Sequence, residues 1–310
     1  MDPVRAIADA VLYEGYLLWP YRRSATKNQR RWTFGGIYPR AHSERHPDDR
    51  WMMRTECLLE GDGAVTVTVR FLHVVARQVL RDGEPVDELV AGGERHLSWD
   101  EAAERELTLV PGHTPFAIAA GAEEEPLAGG GIVRTWEALA GAVEVRVEPV
   151  AKGVRRVAVE VTNTTPWQGE QREDALRRTF CSTHAVLRAS AGRFISQTDP
   201  PARLQAAAEA CRNEGAWPVL VDADDRTVLA SAIILEDHPQ IAPESPGDLF
   251  DGGEIDQMLV LNILSLTDAE KAEMRDSDPR ARAILERTEA LTEDELMRLH
   301  GAIREFGMAR

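Results

Sequence analysis

Apolar and polar positions in the first two thirds of the chain alternate with a period of two. The clearest run covers residues 64–75, where Val65, Val67, Val69 and Phe71 alternate with Thr66, Thr68 and Arg70. This is the pattern of a strand with one buried and one wet face. The turn residues Gly61-Asp62-Gly63 separate it from an apolar run at 53–59, and that spacing predicts a hairpin. A second hairpin is predicted across the turn at 149–153. On one side Val143, Val145 and Val147 alternate with Glu144, Arg146 and Glu148; on the other Val157, Val159 and Val161 alternate with Ala158, Glu160 and Thr162. Weaker strand patterns cover 11–18, 31–38, 106–110, 116–120 and 179–189. Alternation of this kind is the habit of antiparallel sheets.

The pattern changes after Asp199-Pro200-Pro201. Residues 202–211 are rich in alanine and suit a helix, which Asn213-Glu214-Gly215 closes. A third hairpin is predicted from 217–221 and 227–235, flanking Asp222-Ala223-Asp224-Asp225, and 238–253 is a Pro/Gly/acidic loop without periodicity. Beyond it, capping chemistry marks helix starts. Asp251 and Glu254, Thr267 and Glu270, and Thr292 and Glu295 stand at capping-box spacing, and Asp278-Pro279 places a cap before a first-turn proline. The segment 254–266 is apolar nearly all round, so it is expected against the β body or a partner chain. A last helix carries Leu296, Met297, Leu299, Ile303 and Phe306 on one stripe. The expected architecture is α+β, an antiparallel β-sandwich-like body with a C-terminal α-helical tail. Its divisions are a β body at 1–200, a helix, hairpin and acidic loop at 201–250, and the helical tail at 251–310.

Composition narrows the class. With 43% apolar and 28% charged residues the chain is that of a folded, soluble protein. Its net charge of −16 is unevenly spread, since residues 1–54 hold ten Lys/Arg and six Asp/Glu of the totals of 36 and 52. An acidic body repels nucleic acid and anionic membranes, so neither is an expected partner. Cys57, Cys181 and Cys211 are odd in number and form no C-x-x-C, which suits reduced thiols in the cytoplasm. The opening Met-Asp-Pro-Val-Arg lacks the basic start of a signal peptide, and no run reaches the ~20 apolar residues of a membrane span.

Against the acidic background, one basic and aromatic stretch stands out. Arg22, Arg23, Lys27, Arg30 and Arg31 are interleaved with Trp32, Tyr38 and other rings between Tyr16 and Arg40, with no Asp or Glu among them. Arginine and aromatic enrichment is an interface trait, so this stretch is the expected partner-binding surface. A second candidate is the acidic loop. There Asp237, His238, Asp248 and Asp251 offer oxygen ligands and an imidazole to a metal ion. His42-x-x-x-His46 with Asp48 and Asp49 lies between Pro39 and Pro47 and lacks the glutamate of a zincin motif, which points to a solvated loop. Cys181 and His184, three apart in a predicted strand, point to opposite faces unless a bulge intervenes. His73 shares the apolar face of its strand and is expected in the core. There is no G-x-S-x-G, P-loop or G-x-G-x-x-G, and Gly129-Gly130-Gly131 lacks the lysine of a phosphate cradle.

Three stretches are distinctive together: LYEGYLLWPYRRSATKNQRRWTFGGIY at 12–38, GRFISQTDPPARLQAAAEACRNEGAWPVL at 192–220, and 234–275 with HPQIAPESPGDLFDGGEID and LTDAEKAEMR. They resemble an uncharacterised family encoded beside high-affinity, actinobacterial-type [NiFe]-hydrogenases. The resemblance implies a non-enzymatic accessory or assembly protein that recognises another protein, with hydrogenase subunits as partners. It transfers no catalytic residues, and the cofactor stays unknown. Two other readings of the residues stay open. One is a metal-dependent hydrolase or small-ligand-binding β-sandwich using the His238 loop. The other is a homo-oligomeric structural component with 254–266 buried between copies.

Overall fold

The computed structural model describes residues 3–16, 21–22, 28, 32, 34–240, 256–292 and 295–296. It is an α+β fold built on two antiparallel sheets. The first sheet is ordered β13 (Arg193–Ile195), β1 (Met52–Glu60), β11 (Val154–Asn163), β10 (Leu139–Ala151), β7 (Gly112–Ile118). The second is ordered β14 (Trp217–Leu220), β15 (Thr227–Ser231), β12 (Cys181–Ala189), β2 (Val65–Arg81), β9 (Gly130–Trp136), β8 (Gly121–Leu127). Its spine is β2, whose other edge pairs with β6 (Trp99–Leu109) and β3 (Glu84–Val86). A small hairpin of β4 (Glu88–Ala91) and β5 (Glu94–Leu97) stands beside it.

The predicted 143–161 hairpin forms in the register that its valines set, with Val143 opposite Val161, Val145 opposite Val159 and Val147 opposite Val157. The hairpin of β14 and β15 also forms, and β15 joins it to the second sheet through β12. The hairpin predicted at Gly61-Asp62-Gly63 does not form. β1 pairs with β11 and β13 in the first sheet, whereas β2 belongs to the second. The glycines turn the corner between layers: a Cβ on Gly63 would lie 2.0 Å from the Ala191 carbonyl oxygen. Only a residue without a side chain passes there.

Val67, Val69 and Phe71 of β2 and Leu187 of β12 face Val143, Val145, Val157 and Val159 across the sandwich. Phe71, Phe116 and Phe180 close the core with ring contacts of 4.8–6.1 Å. The outer face of the first sheet is charged along β10 and β11, with pairs such as Arg146–Glu144 and Arg156–Glu148, while Leu58, Val154 and Ile195 on that face are buried under Leu204 and Ala208. The second sheet departs from the one-wet-face expectation, because helices cover its outer side. Val4, Ala8 and Val11 of α1 (Pro3–Tyr13) pack on Val186, Val219 and Leu229. Residues 11–13 are therefore helical, not the start of a strand; spacing of apolar positions by three and four overrides their β propensity. Leu72 and Val74 lie under α5 (Asp256–Leu264), α6 (Asp268–Ser277) and α7 (Pro279–Glu289). The Thr267–Glu270 capping box opens α6, and Asp278 caps α7 before Pro279. The Thr292–Glu295 bonds of a third box are made as well, while Asp251 and Glu254 lie outside the described residues. Among the described residues, no helix is long and apolar enough to cross a membrane.

Candidate functional site

The basic, aromatic stretch is divided by the fold. Tyr16, Tyr21, Trp32 and Tyr38 are core residues of the helix-covered side, and Trp32 is 2% exposed. Trp32 and Tyr38, expected on a recognition surface, are thus corrected to interior positions; their large apolar faces fill the space between sheet and helices. The Tyr38 hydroxyl accepts a hydrogen bond from Arg172 at 2.6 Å. Burial raises its pKa, with Arg172 opposing. Arg22 pairs with Glu270 at 3.0 Å. Arg23, Lys27, Arg30 and Arg31 lie outside the described residues.

The expected metal loop is not assembled among the described residues. Asp237 is consumed as a local acceptor. Its Oδ1 takes the Leu220 N–H at 2.8 Å, and its Oδ2 takes the hydroxyls of Ser196 and Thr198 at 2.5 and 3.2 Å. These bonds tie the Asp237 side chain to Leu220 and to 196–198 and occupy most of the carboxylate's roughly four lone-pair sites. His238 has φ +58° and its Nε2 lies 3.5 Å from Asp225 Oδ1. Asp248 and Asp251 lie outside the described residues, among which no three His, Cys, Asp or Glu side chains gather around a metal-sized space.

Two histidine motifs differ from expectation. Around His42 there is a built site instead of a solvated loop. α2 (Arg40–Ser43) brings its ring against Tyr38 at 5.0 Å, His46 at 4.5 Å and the edge of Trp167 at 5.1 Å. His42 Nε2 meets Asp49 Oδ2 at 2.8 Å; an ionised carboxylate only accepts, so the nitrogen donates. Near Cys181 the strand is bulged, with Ser182 at φ +51° and a register shift between Cys181 and His184. Both residues therefore stand on the outer face, opposite Leu72 and Arg70. They remain separate: Cys181 Sγ donates to the Thr179 carbonyl and His184 Nδ1 to that of Ser182. His73 is buried, as its face predicts, with Arg105 at 3.4 Å from Nδ1.

One feature escaped sequence reasoning because it depends on the helices. Arg70, at a position predicted wet, is 2% exposed. It is surrounded by Asp9 at 2.7 Å, Glu104 at 3.2 Å and Glu106 at 3.3 Å. Arg5 joins Glu106 at 2.6 Å, Tyr13 donates to Glu104, and Tyr16 donates to Asp278 at 2.7 Å. The network ties α1 to β6 and α7 and is a structural lock. Its only sequence trace is the pairing of an arginine in β2 with alternate glutamates in β6.

The surface feature with the strongest recognition character lies at one end of the sandwich. Residues 34–38 run beside 180–183: the Ser182 and Thr183 N–H groups donate to Phe34 and Gly35, and Ile37 exchanges two bonds with Phe180. Gly35 has φ +57° and packs so closely that a Cβ would sit 3.2 Å from Ala232. With Asp48, Asp49, Arg50, Met52, Gly215 and Trp217, this segment encloses a cleft of about 220 Å³. Phe34 and Trp217, 44% and 38% exposed, both line it. Arg50 is engaged with Glu214 at 2.9 Å, Asp49 is held by His42, and Asp48 makes no ion pair among the described residues. No protein-family model matches the chain, and no curated protein matches it.

Proposed function

We propose that the protein is a non-enzymatic accessory protein that acts by docking another protein on the Phe34–Trp217 cleft. The observation that carries this reading is the exposure of two large aromatic rings on one cleft, in a molecule whose other aromatic rings mostly serve the core. Uncovered rings of this size are the usual anchors of protein interfaces. The partner class comes from the resemblance to the hydrogenase-associated family, which supports [NiFe]-hydrogenase subunits. Isothermal titration of the protein against those subunits tests the reading. Phe34→Ser/Trp217→Ser is expected to weaken binding by about tenfold or more, as loss of an interface anchor does. Equal affinity of the variant and the parent refutes the assigned surface.

A second reading is favoured by α5, where Met258 and Leu261 are exposed on one face while Leu259, Val260 and Ile263 are buried beneath. Residues three apart share a helix face, so the pair forms a small apolar patch suited to a second copy. Sedimentation of Met258→Glu/Leu261→Glu beside the parent distinguishes the readings: self-association through α5 predicts a fall in mass on substitution.

A further inference from the structure

We propose that the cleft between residues 34–38 and 48–53 receives a single basic side chain, an arginine or lysine projecting from the partner; this rests on the reading that the Phe34–Trp217 rim docks a protein. Size is the first argument. At about 220 Å³ the cleft falls below the roughly 300–1,000 Å³ of small-molecule sites, so it suits one long side chain better than a cofactor.

Charge is the second argument. The lining carboxylates are Asp48 and Asp49, and the lining cation Arg50 is already paired with Glu214. His42, packed between rings and 1% exposed, fixes Asp49 by its Nε2 bond. A carboxylate fixed from behind loses less freedom when a guanidinium or ammonium group arrives. Asp48 adds a second acceptor. An acidic guest would meet two like charges, and an apolar one would desolvate both carboxylates without a partner.

The rim is the third argument. Aromatic faces attract a cation passing over them, and the stem of an arginine or lysine covers apolar surface while its head reaches the acids. The net charge of −16 draws a basic segment toward the molecule before contact.

Nuclear magnetic resonance titration of the full chain with N-acetyl-arginine amide tests the proposal, with N-acetyl-citrulline amide as the uncharged isostere. The arginine probe is expected to shift the amides of Gly35, Gly36 and Gly215 and the Trp217 indole, with a Kd on the order of 1 mM for so small a ligand. The citrulline probe should bind at least tenfold more weakly. Asp48→Asn should weaken the arginine probe several-fold, and among the described residues Asp48 makes no side-chain bond that its loss would disturb. Equal binding of the two probes, or shifts confined to other surfaces, overturns the inference. If that happens while Phe34→Ser/Trp217→Ser still abolishes subunit binding, the docking surface stands and only the basic guest falls. If the arginine probe fills the cleft and the subunits do not bind, the partner falls and the site stands.

Discussion

At the scale of single residues, the molecule stakes its acid stability on two buried histidines. Burial, with Arg105 adding to it, pushes the His73 pKa down to about 4. Burial, with Arg70 adding to it, pushes His184 down to about 3. In the unfolded chain both titrate near 6.5. Above that pH they are neutral in both states and contribute no pH dependence. Between 6.5 and 4 the unfolded chain takes up protons that the native state refuses, so stability falls as the solution is acidified. With two such groups the slope approaches roughly 2–3 kcal/mol per pH unit. Carboxylates held low by partners, such as Glu125 bonded by Arg134, act only below their own ordinary range, so the window above it belongs to the histidines. Urea midpoints at pH 7.5, 6 and 5 are expected to drop steadily, and His73→Gln should reduce the drop by about half. A midpoint constant from pH 7.5 to 5 would contradict the buried, neutral assignment.

At the scale of elements, Asp278 is the residue on which two helices depend. Its Oδ1 accepts the Arg280 N–H at the start of α7, and its Oδ2 accepts the Tyr16 hydroxyl just after α1. Asp278→Ala removes a cap worth about 1 kcal/mol and the acceptor of a buried hydroxyl worth about 1 kcal/mol or more. Thr267→Ala breaks an exposed capping box and should cost only about 1 kcal/mol. Denaturation of the two variants side by side checks this; an Asp278→Ala loss no larger than that of Thr267→Ala refutes the double role. The caps were legible in the sequence because a capping box is complete within four residues. The β10–β11 register was legible for a similar reason, since a short turn leaves few ways to match valine with valine. Alternation says that 65–71 has a buried face, but not which sheet it joins, and so the β1–β2 link looked like a hairpin. Ring content likewise does not say which way a ring points. Tyr16, Tyr21, Trp32 and Tyr38 went inward under the helices, while Phe34, in the same stretch, stayed out and marks the cleft. Its counterpart Trp217 stands some 180 residues along the chain, and only the fold brings the two together.

At the scale of the whole molecule, two open sheets must end somewhere without recruiting copies of themselves. β7 closes the first sheet with Pro115. β8 and β14 close the second with Pro126 and Pro218, and the short flanking β3 carries Pro85. A proline has no N–H to offer a neighbouring strand and is confined to edges, so the borders at Pro85, Pro115 and Pro126 are blunted where they meet solvent, while Pro218 is buried. Glu123, Glu124 and Glu125 add like charge along β8, and the net charge of −16 keeps molecules apart at long range. Charge and proline act over different distances, which makes them separable. Salt screens the first and leaves the second untouched. Pro115→Val/Pro126→Val should therefore stay monodisperse at low ionic strength and self-associate when salt is raised, while the parent stays monodisperse in both. Light scattering across a salt series reads this directly, and a variant indistinguishable from the parent at high salt would show that some other feature guards the edges.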